Sequence, residues 1–207
     1  MKVWDLATRL YHWLQAVLCI ALLASGFSGN GPHVQIGLAI FTLVLWRLIW
    51  GVTGSQTSRF REFVRSPTTV IRYLRGKESS GVGHNPAGGW MVVMMITALL
   101  LQCISGMAIA GFLDNIPVIN ALITDSIFSV LESMHMALAR IIPALVLIHV
   151  GAILVYKLRS KPLVLAMFTG VQNEASDRET LYFASNLKAL FVLMAALLVT
   201  ILLVAIA

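Results

Sequence analysis

The chain is short of charge. Only 12% of its 207 residues are Asp, Glu, Lys or Arg, about half the usual share in a water-soluble domain, and too few to cover a surface that faces water. That shortage excludes a soluble enzyme and a nucleic-acid-binding domain, so no nucleic acid is expected as a partner. Cysteine is scarce as well: Cys19 and Cys103 each lie inside an apolar run and form no CxxC or CxxCH pattern. Neither a zinc site nor covalent haem attachment is therefore signalled, and both residues read as core thiols. There is no internal repeat and no low-complexity tract. The first nine residues contain an Asp and a Trp, and the apolar run behind them contains a histidine, which is unlike a cleaved signal peptide.

What the chain has in quantity is apolar surface, with 58% hydrophobic residues and a mean hydropathy of +0.86. These values indicate an all-α integral membrane fold in contact with membrane lipids. A span needs about 17 to 25 apolar residues, and five runs qualify, near residues 11 to 28, 34 to 52, 88 to 112, 130 to 156 and 187 to 206. Ser28-Gly29-Asn30-Gly31-Pro32 reads as a tight turn, and Pro86 stands at the start of the third run, where its missing N–H costs least.

The basic residues are one-sided. With the N-terminus in the cytoplasm, 14 of the 15 Lys and Arg fall on the cytoplasmic side, Arg178 among them. The turn at 29 to 33 and the loop at 113 to 129 hold none, while Asp114 and Asp125 lie in the latter. The positive-inside rule then predicts a cytoplasmic N-terminus and a periplasmic C-terminus in a bacterial inner membrane. The connection from 53 to 85, with Arg59-Phe60-Arg61-Glu62-Phe63-Val64-Arg65, fits an interfacial segment and equally a solvated loop. Residues 172 to 186 are polar and read as an exposed loop.

Four of the five histidines fall in or at the ends of spans, where an ionisable residue is costly enough to suggest function. His12 opens the first span on the cytoplasmic side, and His33 opens the second on the periplasmic side. His135 and His149 are 14 residues apart in the fourth, an offset of about 40° and a rise of about 21 Å. They share one helix face and match His33 and His12 in depth. Two facing pairs, one in each leaflet of a four-helix bundle, are what bis-imidazole ligation of two b-type haems requires. A zinc site would need three or four donors at one point. A proton relay would need polar groups between the pairs, and the segment from Ile141 to Ile148 offers none.

Gly26, Gly37, Gly106 and Gly151 could give a porphyrin room between helices, or serve ordinary small-residue packing. Arg9, Arg47 and Arg140 are candidate partners for haem propionates. Arg140 is the only cation deep in the bilayer, and Glu132, one turn before His135, is its other candidate partner or a group supporting that histidine.

One further pattern is carried by Val3-Trp4-Asp5-Leu6, Arg9-Leu10-Tyr11-His12-Trp13, His33 with Gly37, Trp46-Arg47-Leu48-Ile49-Trp50-Gly51, Arg59-Phe60, Phe63, Pro67, Tyr73-Leu74, Gly83-His84-Asn85-Pro86, His135, His149 and Ala166-Met167-Phe168-Thr169-Gly170. It resembles the prokaryotic cytochrome b561 family, which is similar to the cytochrome b subunits of nickel-iron hydrogenases and formate dehydrogenases. The resemblance runs from about residue 3 to 170 and leaves the fifth span outside. Arg140 and Leu113-Asp114-Asn115-Ile116-Pro117 depart from it.

The resemblance implies that His12, His33, His135 and His149 ligate two haem b groups. It implies electron transfer between the quinone pool and a periplasmic redox partner, such as a c-type cytochrome, with quinone oxidoreductase activity in the respiratory chain. His84 and Asn85 would then lie where a polar pair can reach a quinone carbonyl or a propionate, although Asn85 also suits a helix cap. Residues 1–170 are expected to form the di-haem four-helix unit, and 171–207 a polar loop and a last transmembrane helix. Pairing with a second copy is left open. Two rivals remain: a quinone-reducing enzyme acting on a small periplasmic substrate such as superoxide, and a non-redox scaffold or transporter.

Overall fold

Four of the five long helices begin where a side chain caps their unpaired N–H groups, and the helix from His33, which follows Pro32, is the one that does not. In the computed structural model, which describes residues 1–78, 82–172 and 180–207, α1 (Leu6–Ser28) is capped by Asp5. Gly29 and Gly31, both in the left-handed region, turn the chain into α2 (His33–Thr53). A 3-10 turn (Gln56–Ser58) and two short helices, α3 (Phe60–Phe63) and α4 (Pro67–Leu74), lead to α5 (Pro86–Ile109), capped by Asn85 with Pro86 in its first turn. Beyond it lie α6 (Pro117–Leu122), α7 (Asp125–Leu158), α8 (Leu163–Thr169) and α9 (Asn186–Ile206). Among the described residues there is no β-strand beyond one isolated bridge, Lys2 with Val171. Five helices, α1, α2, α5, α7 and α9, are long and apolar enough to cross a membrane. The all-α membrane fold read from composition is the fold observed.

Three expectations need correction. Because Asp5 starts α1 early, His12 lies two turns inside the helix rather than opening it. The segment 113 to 129 is not a plain loop: it contains α6 and the first turn of α7, which Thr124 caps. At 34 residues, α7 is about 51 Å long, against a hydrocarbon core of about 30 Å, so it overhangs the bilayer. Of the expected exposed loop at 172 to 186, residues 173–179, Arg178 included, lie outside the described residues. The stretch after residue 179 is docked: the backbone of Tyr182 exchanges hydrogen bonds with Gln56, and the buried Ala184 donates to Ser55 Oγ at 3.1 Å.

The helices pack unequally. α5 lies against α7 and α2, and α2 also packs on α1 and α9. Among the described residues the backbone of α7 makes at most glancing contact with those of α1 and α2, and α7 meets them through side chains such as Ile142 and Cys19 in one buried cluster. Cys19, Cys103, Leu99 and Ile142 belong to the main buried cluster, and both cysteines are free thiols, as expected of core residues. α9 is joined to the outer side of α2 by Thr42 and Thr200, whose hydroxyls are 2.8 Å apart, and by Trp46 Nε1 donating to the Ala189 carbonyl at 3.0 Å.

The end that carries most of the arginines is closed by the N-terminal segment. The Val3 N–H donates to the Gly170 carbonyl at 2.7 Å, and Thr57 Oγ1 donates to the Val3 carbonyl at 2.7 Å. Asp5, 4% exposed, accepts from the Thr8 N–H at 2.6 Å, from Thr8 Oγ1 at 3.0 Å and from Ser58 Oγ at 3.2 Å. An Asp5→Ala variant loses the cap and leaves Thr8 and Ser58, whose hydroxyls are 2.8 Å apart, with one acceptor fewer than their two protons need, at a cost of about 0.5–2 kcal/mol for the cap alone. A lower melting temperature in detergent is the expected result.

Candidate functional site

The four span histidines meet as two pairs between α7 and its neighbours α1 and α2. His12 of α1 faces His149 of α7 with ring centres 6.3 Å apart, and His33 of α2 faces His135 of α7 at the same 6.3 Å. Among the described residues no three His, Cys, Asp or Glu side chains converge on a point where a metal ion could sit. Pairing is therefore the arrangement present. The layer between the pairs is apolar and contains a cavity of about 10 Å³ lined by Cys19, Met95, Ala98, Leu99, Ile142 and Leu145, at the lower limit for one water.

The His33/His135 pair is held by two serines. Ser25 Oγ donates its hydrogen to the Leu22 carbonyl at 2.9 Å and stands 3.1 Å from His33 Nδ1. Ser105 Oγ donates to the Leu101 carbonyl at 2.8 Å and stands 3.2 Å from His135 Nδ1, which is also 3.2 Å from the Gln102 carbonyl. Since a carbonyl only accepts, the proton of His135 is on Nδ1. Gln102 Nε2, 3.1 Å from His135 Nε2, donates to the lone pair there, while its buried Oε1 has no partner. Each serine is followed by a glycine. A Cβ on Gly26 would lie 3.0 Å from His33 Cε1, and one on Gly106 would lie 2.9 Å from His135 Cε1. These two glycines make room for the imidazoles themselves. Gly37 has ordinary contact distances, and Gly151 meets nothing within 4 Å.

The His12/His149 pair has no such support, and neither ring makes a hydrogen bond among the described residues; His12 Nδ1 is buried without a partner. Unpaired buried atoms gather at this end: Arg9 Nε, Trp13 Nε1, Arg47 Nη1 and His84 Nδ1. Arg47 is 3% exposed and lies over the Phe60 ring, 4.9 Å from its centre. Arg9 donates to the Phe168 carbonyl, and Trp13 stacks on the Phe168 ring at 4.3 Å. Buried guanidinium N–H groups without acceptors mark a place where an anion is missing.

His84 joins this end. Its ring is enclosed by Trp4 at 4.7 Å and Phe63 at 4.4 Å. Burial, and after it the charges of Arg47, His12 and His149, push its pKa down to about 3. At pH 7 it is a neutral hydrogen-bonding group, with no charge to set against a carboxylate. Asn85 is already engaged: Oδ1 caps α5 by accepting from the Gly88 N–H at 2.8 Å, and Nδ2 donates to Tyr156 Oη at 3.0 Å. The Tyr156 hydroxyl in turn meets that of Tyr73 at 2.5 Å.

Arg140 stands about 140° round α7 from His135. It is exposed, with no hydrogen bond or ion pair among the described residues. Glu132 is exposed too. Sequence reasoning missed Ser25, Ser105 and Gln102. The signal that could have found the serines is the Ser-Gly dipeptide occurring inside two different spans, at 25–26 and 105–106.

Residues 3–170 match the family model of prokaryotic cytochrome b561. The chain belongs to that family. No curated protein and no solved structure matches it. As a prokaryotic cytochrome b561 the chain is a multi-pass membrane protein of b-type haem electron transfer, and haem b is its cofactor. The cytochrome b561 match covers α1 to α8 together with both histidine pairs, and α9 lies beyond it.

Proposed function

We propose that His12 with His149, and His33 with His135, are the axial ligands of two b-type haems, and that the protein carries electrons between the membrane quinone pool and a periplasmic redox partner such as a c-type cytochrome. The observation that carries this reading is the pair of 6.3 Å ring separations across helices whose backbones make at most glancing contact. A metal–imidazole bond of about 2 Å on each side, plus about 1 Å from each nitrogen to its ring centre, adds up to about 6 Å. Both gaps therefore fit one metal ion held between two imidazoles. When bound, each haem supplies one-electron iron chemistry at a potential set by its ligands, nearby charge and dryness.

The surrounding residues have distinct tasks. Arg9 and Arg47, with buried N–H groups lacking acceptors, receive the propionates at their end, whereas Arg140, exposed and about 140° round its helix from His135, is turned away from the other pair. Arg47 cannot simply be left unpaired in a low-dielectric site. His84, neutral and with Nδ1 free, is the group placed to hydrogen-bond a quinone carbonyl, and Asn85 positions it through the α5 cap. Quinone oxidoreductase activity in the respiratory chain follows from that contact. The one-sided basic residues support an inner-membrane placement with the N-terminus in the cytoplasm and the C-terminus in the periplasm. Residues 1–170 form the di-haem unit, and 171–207 add a brace on α2.

The direct test is a pyridine haemochromogen assay with a dithionite-minus-oxidised spectrum on detergent-purified protein. Two low-spin b haems per chain are expected, and fewer than two overturns the pairing. For the quinone contact, His84→Ala is expected to slow quinol-driven haem reduction about tenfold, the equivalent of one hydrogen bond of about 1.4 kcal/mol, with haem content unchanged. Unchanged kinetics would remove His84 from the quinone site.

A further inference from the structure

The two haem sites proposed above differ in one respect that chemistry can read. At the His33/His135 site both imidazoles have an oxygen at Nδ1, whereas at the His12/His149 site neither has one, and His12 Nδ1 is buried and bare. We infer that Ser25-Gly26 and Ser105-Gly106 are two copies of one device, in which the serine accepts the Nδ1–H of a histidine and the glycine clears the space for its ring. The device sets the His33/His135 haem at a lower potential than it would otherwise have. This inference rests on the ligand assignment above.

The direction of each hydrogen bond follows from the hydroxyl's single proton. Ser25 commits that proton to the Leu22 carbonyl at 2.9 Å, so toward His33 it can only accept. Ser105 is committed to a carbonyl of its own helix, Leu101 at 2.8 Å or Gln102 at 3.1 Å, and it too is left to accept. The proton of each imidazole is thereby placed on Nδ1, which leaves Nε2 as the nitrogen that could ligate a metal. At His135 that lone pair accepts from Gln102 Nε2 at 3.1 Å, so a metal held there would take the place of this hydrogen bond.

An N–H held by an acceptor makes the ring a stronger electron donor at its other nitrogen. A stronger donor stabilises the more positive, ferric iron over the ferrous one, and so lowers the potential. Charge acts in the same sense at the other site, where buried Arg47 and the nearby Arg9 favour the less positive, ferrous state. Hydrogen bonding and charge therefore set a gradient in which an electron passes downhill from the His33/His135 haem to the His12/His149 haem. The serines touch the ligands rather than the iron and are positioning residues. Both are nearly inaccessible, Ser105 at 0% and Ser25 at 7% exposure, so no water replaces a lost hydroxyl. At His135 the Gln102 carbonyl, 3.2 Å from Nδ1, remains as a second acceptor, which makes Ser105→Ala a milder change than Ser25→Ala.

The experiment is a potentiometric titration of the full-length protein, with low-spin ferric EPR spectra, for wild type, Ser25→Ala, Ser105→Ala and Ser25→Thr. In each alanine variant two haems are retained. One midpoint rises, in Ser25→Ala by about a tenfold change in the ferric-to-ferrous ratio at fixed potential, or about 59 mV for one electron, and in Ser105→Ala by less. The same haem's EPR signal shifts while the other's stays, and Ser25→Thr, which keeps the hydroxyl, returns the wild-type values. Two retained haems with both midpoints and both EPR signals unmoved overturn the inference, as does a shift confined to the other haem or loss of both haems together. Failure of the ligand assignment looks different: wild type with fewer than two haems, or His33→Ala and His135→Ala proteins that keep both.

Discussion

Substituting His149 by Ala is expected to halve the haem content, from two b haems per chain to one, and to leave the remaining haem with an unchanged EPR signal. His149 faces His12 at 6.3 Å, and the other histidine of its helix, His135, is 14 residues away, about 21 Å along the axis. The intervening layer is a packed apolar one, so loss of one ligand has no polar route to the second site. His12, left without its partner, has no replacement for it, because among the described residues no third His, Cys, Asp or Glu converges with the pair. His12→Ala is expected to give the same single-haem protein. Equal loss of both haems in either variant would show that the two sites are not independent, and would count against the pairing. The measurement is again the pyridine haemochromogen ratio, taken against protein concentration.

The second large effect is expected from a residue that ligates nothing. Gly106→Val should cost the His33/His135 haem selectively while His135 itself is intact. A Cβ at this position would lie 2.9 Å from His135 Cε1 and 3.3 Å from Nδ1, closer than side-chain carbons approach one another, and a branched residue adds two more carbons. The backbone at Gly106 cannot retreat, since it lies within α5, which is packed along α7. The imidazole must move instead. It would then leave Ser105 Oγ and the Gln102 carbonyl, so its orientation is lost along with its place. A tenfold or greater loss of haem affinity at that site is expected, about what removal of a group supporting a metal ligand costs. Gly151→Ala is the control: nothing lies within 4 Å of a Cβ there, and about 200° of helix separates it from His149. Both haems should be retained in that variant, and circular dichroism should show the same helix content in both proteins.

Much of this protein is written locally. Span length, the capping residues Asp5 and Asn85, and the uneven distribution of Lys and Arg are properties of short stretches of chain, because a bilayer acts on each helix separately and demands that its backbone be satisfied within itself. The alignment of His135 with His149 is equally local, since both stand on one helix whose period is fixed by its own hydrogen bonds. The Ala166-Met167-Phe168-Thr169-Gly170 stretch was legible as a signature without being legible as a contact. Its use is to offer the Gly170 carbonyl to Val3 and the Phe168 carbonyl to Arg9, across more than 150 residues of sequence.

Other features needed the helices in place. Ser25 lies eight residues from His33 on a different helix, and Ser105 lies 30 from His135, so no periodicity within one element connects them. The reading of Gly26 and Gly106 as space for a porphyrin became space for imidazoles once the distances between helices were known. The early start of α1 moved His12 inward, and the enclosure of His84 by Trp4 and Phe63 gave it a neutral ring. The packing of α7 on α5 rather than on α1 or α2 is likewise a property of the assembled bundle. Apolar patterning says that a helix is in the membrane, but lipid and protein are equally apolar neighbours. Which face meets a helix and which meets lipid is therefore decided only by the packed bundle.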